Sequence, residues 1–140
     1  MKRAIIVVLT LVISVGVVWA AKGWAMKRLD NKAAKFNTLA DNLILGIQQY
    51  REFVGSYPAG NNIGIAKALL GQTDKRVLIL AVRKSDLNDK GEILDSWGTP
   101  LQFYFSHTEV MIRSAGPNQV WEDSAVHISD DLYRCARTEK

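Results

Sequence analysis

Eighteen consecutive residues, Ala4–Ala21, carry no charge, and only Thr10, Ser14 and Gly16 interrupt their apolar character. An uncharged run of this length partitions into lipid. It stands near the lower end of what a helix needs to cross a bilayer, about 20 residues. Lys2 and Arg3 precede it, which is also the layout of a secretory signal, and Val18-Trp19-Ala20 offers a signal peptidase acceptable small residues. Two readings follow, a retained anchor and a cleaved signal. Gly23, Trp24, Ala25 and Met26 prolong the run, and Trp19 and Trp24 sit where an interfacial aromatic belt belongs. The anchor is the expectation. It divides the chain into a cytoplasmic tip at 1–3, a span at 4–21 and one extracytoplasmic domain at 30–140. With 140 residues in all, there is length for one domain with a real core and too little for two.

The formal charge of +4 is unevenly placed. Residues 1–35 hold Lys2, Arg3, Lys22, Lys27, Arg28, Lys32 and Lys35 against Asp30, a balance of +6, and residues 36–140 balance to −2. A nucleic-acid-binding domain needs a basic face, and the globular part lacks a basic balance. The cations flanking the run fit lipid head groups instead. Counted for topology, five basic residues follow the run and two precede it, which by the positive-inside rule places the C-terminal side in the cytoplasm. The chain has one cysteine, Cys135. One cysteine forms no intrachain disulfide, so the domain stands on its core, a metal or a neighbour. Cys135 has no His/Asp pattern around it and is expected to be a partly buried small residue.

From Lys35 to Val54 the pattern is helical. Phe36, Leu39, Ala40, Leu43, Ile44, Ile47, Tyr50 and Val54 recur at spacings of three and four, with polar residues on the other face. Gly55 and Pro58 stop the helix. Tyr57–Asn62 reads as a loop, Ile63–Leu70 as a short helix ended by Gly71, and Val77–Val82 as a strand. Leu101–Ser106 and Glu109–Ser114 alternate and read as an antiparallel hairpin with His107-Thr108 between. After Ala115 only short elements fit. A long helix whose apolar stripe is covered by a small antiparallel sheet is an α+β fold.

Few constellations carry chemistry. His107 and His127 have no second ligand at metal spacing. Residues 85–91 resemble the opening of a calcium loop, yet counting from Asp86 puts Lys90 at position five and Trp97 at position twelve, where oxygens are required. An Asx-rich turn is the expectation there. In Asp95-Ser96-Trp97-Gly98-Thr99-Pro100, Asp95 is placed to accept bonds from the following amides, and a buried Trp97 beside Gly98 and Pro100 sets the chain's approach to the hairpin. Glu122, Asp123, Asp130 and Asp131 offer hard oxygens on irregular backbone, which is what calcium uses. No nucleophile–base or paired-acid arrangement is visible, so the expected role is structural rather than catalytic.

Taken in order, several stretches resemble one family. Ile47-Gln48-Gln49-Tyr50, then Gly55-Ser56-Tyr57-Pro58, reads like the end of a pilin helix and its first loop. Gly91–Leu101 is similar to the Asp-Pro-Trp-Gly-x-Pro motif, with Ser96 in place of the usual Pro. Ile112–Asn118, with Gly116, resembles the Ser-x-Gly-x-Asp/Asn turn, and Asp130-Asp131 stands where an acidic pair precedes the end. The chain thus resembles the major pseudopilins of type II secretion over roughly residues 36–134. The resemblance implies a pilin-like fold facing the periplasm from the bacterial inner membrane, with other pseudopilin or secretion-apparatus subunits as partners. It is the reason to prefer that orientation over the basic-residue count. It also implies a calcium site at Ser114, Asn118, Asp130 and Asp131. Nothing like the family's Gly-Phe-Thr-Leu-Ile-Glu processing site occurs between Met1 and Ala21. The departure points to a stationary pseudopilin-like domain rather than a processed, polymerising one. The alternative is a periplasmic or secreted ligand-binding module on the same scaffold, released by cleavage after Ala20.

Overall fold

A computed structural model describes residues 2–79, 81–122 and 129–137, and for residues 2–21 the description extends only to the helical backbone. The chain forms two units, Met1–Lys32 and Ala33–Lys140. One helix, α1 (Lys2–Val54), supplies part of each. Among the described residues no helix is long and apolar enough to cross a membrane. The Ala4–Ala21 run read as a span, and the tip before it, lie outside the residues whose side chains are described. In the first unit Trp24 and Met26 are exposed.

The second unit is α+β, a long helix packed on a small antiparallel sheet. The α1 stripe is buried as its spacing predicts. Phe36, Ala40, Leu43, Ile44, Ile47 and Tyr50 lie in the core, with Leu39 and Val54 at its margin. Each large apolar side chain so buried is worth about 1.5–3 kcal/mol. Gly55, at φ +83°, ends the helix by donating its N–H to the Arg51 carbonyl at 2.8 Å, a left-handed C-terminal stop that glycine adopts without Cβ strain. The helix α2 (Asn62–Leu69) follows, capped by Asn61, whose side chain accepts the Gly64 N–H.

Three strands form the sheet in the order β1-β2-β3: β1 (Gln102–Phe105), β2 (Glu109–Ser114) and β3 (Leu132–Arg137), all antiparallel. The β1–β2 hairpin is the one expected, with His107 exposed at its tip. On β2, Val110, Ile112 and Ser114 are buried. Phe103 and Phe105 of β1 and Leu132 and Ala136 of β3 pack on the same core. On that side Arg134 reaches Asp41 of α1 with two bonds of 2.9 Å, and these hold its guanidinium above its ordinary pKa.

Three expectations change. Val77–Val82 makes no strand among its described residues. It makes one isolated bridge, Leu70↔Leu78, and one bond from Ile79 N–H to Leu69 O. The segment presses instead on α1, where a Cβ on Gly46 would meet the Ala81 Cβ at 2.4 Å. Close approach of backbones replaces sheet pairing. The tail after Ala115, expected to hold only short elements, supplies one among its described residues, the six-residue β3. Cys135 is exposed, because the alternation that turns Leu132, Arg134 and Ala136 toward α1 turns Cys135 away. Trp97 is half-buried at the core margin, not enclosed. The Asx-turn expected at 85–91 is present, with Asn88 Oδ1 accepting the N–H groups of Lys90 and Glu92.

One side chain links the loop layer to the hairpin. Asn62 Nδ2 donates to the carbonyls of Ile93 (3.0 Å) and Leu101 (2.7 Å), and its Oδ1 accepts the Ile93 N–H at 2.6 Å. Removing the amide leaves those backbone groups without this partner, at about 1–3 kcal/mol. Asn62→Ala should therefore lower stability by that amount. Asn62→Asp, which sets a carboxylate against two carbonyls, should lower it at least as far. Thermal melts of both variants check this, and an unchanged midpoint for Asn62→Ala would remove the tether from the account.

Candidate functional site: an acidic cluster in the C-terminal loop

Polar side-chain bonds hold the turn ahead of β1 and the loop leaving β2. Asp95 Oδ1 accepts the N–H groups of Trp97 (2.9 Å) and Thr99 (2.8 Å), which is the expected Asx arrangement. Gly98 completes that turn at φ +96°, and Pro100 then bridges back to Leu94. The other Asp95 oxygen, Oδ2, accepts the Ser114 hydroxyl at 2.6 Å, and Ser114 Oγ accepts the Gly116 N–H at 3.1 Å. Gln119 Nε2 donates to the Trp97 carbonyl at 3.1 Å. The Trp-Gly-x-Pro turn and the Ser-x-Gly turn, far apart in sequence, are thus bonded through Asp95 and Ser114, with a second bond from Gln119 just past the latter. Tyr57 and buried Pro58 lie elsewhere. Tyr57 stacks on Phe105 with centroids 5.0 Å apart and accepts a bond from Arg51 at 3.1 Å.

Past Gly116 the chain folds back on Asp130. A Cβ on Gly116 would stand 2.2 Å from the Asp130 carbonyl oxygen, and its φ is +66°, so both space and backbone demand glycine. Asn118 N–H donates to Asp130 Oδ2 at 3.2 Å, Asn118 Nδ2 donates to Glu122 Oε1 at 3.0 Å, and the Asp130 N–H donates to Glu122 Oε2 at 2.9 Å. Glu122, Asp130 and Asp131 come together, each offering an oxygen within 4.8 Å of the others.

Of the four residues that the resemblance offered as ligands, Asp130 and Asp131 join this cluster. The Ser114 hydroxyl donates to Asp95 Oδ2 at 2.6 Å and accepts the Gly116 N–H. Asn118 borders it, but its Oδ1 accepts the Val120 N–H at 2.8 Å. Glu122 takes the third place. Its residue type marked it in the sequence, and only the fold back sets it beside Asp130. Asp123 and His127 lie outside the described residues.

Arg113 has no functional signal in the sequence beyond a charge between Ile112 and Ser114. It is 7 % exposed, and Asp131 is 8 % exposed. Arg113 Nε donates to Asp131 Oδ2 at 2.6 Å, Nη2 forms an ion pair with the same oxygen, and Nη2 also donates to the Glu122 carbonyl at 3.0 Å. The guanidinium lies over the rings of Trp121 (5.2 Å) and Tyr133 (5.5 Å), contacts that add cation–π attraction.

The donor set fits a divalent cation. Three carboxylates against one guanidinium leave two negative charges. Asp130 Oδ1 and Asp131 Oδ1 are buried, with no hydrogen-bond partner among the described residues. Buried anionic oxygens without donors are costly, and a hard cation that accepts irregular oxygen geometry relieves that cost. No family model, curated protein or solved structure matches the chain.

Breaking a buried pair by removing one partner costs about 3–5 kcal/mol, since the other charge stays buried alone. Arg113→Met should therefore destabilise the second unit by that amount. Arg113→Met with Asp131→Leu should recover most of it. Urea denaturation of the three proteins is the measurement, and a loss no larger than that of an exposed pair, about 0–1 kcal/mol, would contradict the role given to Arg113.

Proposed function

We propose that the chain is a membrane-anchored, pseudopilin-like structural subunit or accessory of a type II secretion or pilus-like apparatus. In this reading the 4–21 run holds it in the bacterial inner membrane, and the domain at 30–140 works outside the cytoplasm. Other subunits of the apparatus are its partners, and it performs no catalysis. The observation that carries the reading is the junction of its two turn motifs. The Asp95–Ser114 bond joins the two segments on which the resemblance rests, and the Trp97–Gln119 bond ties the first of them to the residue just past the second. A long helix packed on a three-stranded antiparallel sheet supports the same reading. In cells, the chain should stay with membranes through alkaline washing and crosslink to other single-pass subunits. Recovery as a soluble protein beginning at Ala21 would overturn the anchor. Recovery only as an uncrosslinked monomer would overturn the assembly role.

Calcium is the cofactor that goes with this reading, held by Glu122, Asp130 and Asp131. Its role is to neutralise the cluster and so stabilise the C-terminal loop. A ligand that binds only the folded state adds RT ln(1 + [L]/Kd), about 2.7 kcal/mol at a hundredfold excess over Kd. Melting in millimolar calcium should give a higher midpoint than melting in chelator. Asp130→Asn should abolish the difference, and magnesium, which demands tighter octahedral geometry, should not reproduce it. Coincident wild-type curves would leave the cluster as a solvated acidic surface.

A further inference from the structure

The edge of β1 is open at a defined place. The Ser106 N–H donates to the Glu109 carbonyl at 2.9 Å, and β1 and β2 stay in continuous register, with Gln102 opposite Arg113 and Phe105 opposite Val110. Hydrogen-bonded and non-bonded pairs alternate in an antiparallel ladder. Ser106, Tyr104 and Gln102 therefore turn their backbone groups toward β2, and Leu101, Phe103 and Phe105 turn theirs away from it. At Leu101 the outward groups are already taken. Its N–H donates to Ile93 O at 2.9 Å, and its carbonyl accepts Asn62 Nδ2 at 2.7 Å. The Ile93–Leu94 segment meets the chain just ahead of β1, where Leu94 makes one isolated bridge to Pro100, and the pairing stops there. Phe103 and Phe105 make no outward backbone bond among the described residues.

A groove of about 400 Å³ lies along this edge, where the N-terminal end of α2 faces β1. Phe103 and Tyr104 line it together with Trp121 and Glu92. Among the described residues Glu92 is the only charged one of the lining, and its Oε2 accepts from Asn88 Nδ2 at 2.7 Å. Tyr104 donates its hydroxyl to Gln102 Oε1 at 2.6 Å, which holds two side chains in place beside the edge. Natural sheets blunt open edges with charges, prolines or bulges. The opposite edge strand, β3, carries Arg134 and Arg137. The β1 sequence, Gln-Phe-Tyr-Phe, has no charge and no proline, and its register has no bulge.

We propose that β1 receives an extended peptide segment of a partner protein, added as a strand at Phe103 and Phe105 and carrying a basic side chain that meets Glu92. Main-chain bonds supply the affinity in this mode of recognition, and side chains in flanking pockets supply the choice of partner. Trp121 is the wall for an apolar side chain of the segment, and Glu92 is the counter-charge. The groove is built within the Ala33–Lys140 unit, so the proposal stands or falls apart from membrane anchoring and from calcium.

The test uses the full ¹⁵N-labelled chain in detergent micelles and the probe peptide acetyl-Thr-Val-Lys-Val-Thr-amide. Two analogues are N-methylated on alternate residues in the two phases, and a third has norleucine for lysine. At about ten times Kd only about one chain in eleven is free, so deuterium exchange at the Phe103 amide should slow about tenfold. One methylated phase should bind and the other should not, since only one row of peptide amides faces β1. Glu92→Gln, which keeps an acceptor for Asn88, should weaken the lysine peptide about two- to fivefold, the worth of an exposed ion pair, and leave the norleucine peptide unchanged. The proposal is overturned if the Phe103 amide is already protected in the free chain. It is overturned equally if that protection appears without peptide and grows with protein concentration, which would assign the edge to a second copy. Equal binding of both methylated phases, or no response at millimolar peptide, also overturns it.

Discussion

Burial of the α1 stripe from Phe36 to Tyr50 is the interaction on which the second unit depends. Phe36, Leu43 and Ile47 are fully buried, and everything that covers them comes from later in the chain: α2, Ile79 and Val82, Ile93, Leu101 and the inner face of the sheet. No disulfide is available to a chain with one cysteine, so the fold persists through this apolar contact and through polar bonds that hold the cover in place. Gly46 shows how close that cover comes, because no larger residue fits between α1 and Ala81.

The polar bonds form a second layer around the core. Asn62, Asp95 and Arg113 each satisfy backbone or side-chain groups from segments distant in sequence. A partly buried loop carries peptide groups that need partners, and these three residues supply many of them. Arg113 does most for the C-terminal loop. It gathers Asp131 and the Glu122 carbonyl under two aromatic rings. The same arrangement concentrates negative charge at one place, and this ties the proposed cation role to the folding of the loop.

The acidic cluster and the proposed peptide groove lie side by side. Trp121 lines the groove along β1, and Glu122, the next residue, belongs to the acidic cluster.

The sequence by itself determined the local elements. The stripe at spacings of three and four gave α1 its buried face, alternation gave the β1–β2 hairpin, and Asp95, Asn88 and Gly55 dictated their turns through bonds reaching only a few residues. Those interactions are short in range, and residue type and spacing encode them. Tertiary structure decided the rest. Val77–Val82 was apolar enough for a strand, but contact with Gly46 took the place of ladder pairing. Leu132–Arg137 became a strand because the open side of β2 was there to receive it. Arg113 was an ordinary strand cation until the loop after Ser114 folded back over it, and the Ser114 hydroxyl found its acceptor on Asp95, well before it in the chain. Burial and ion pairing depend on which distant segments arrive at a residue, and periodicity along the chain does not carry that information.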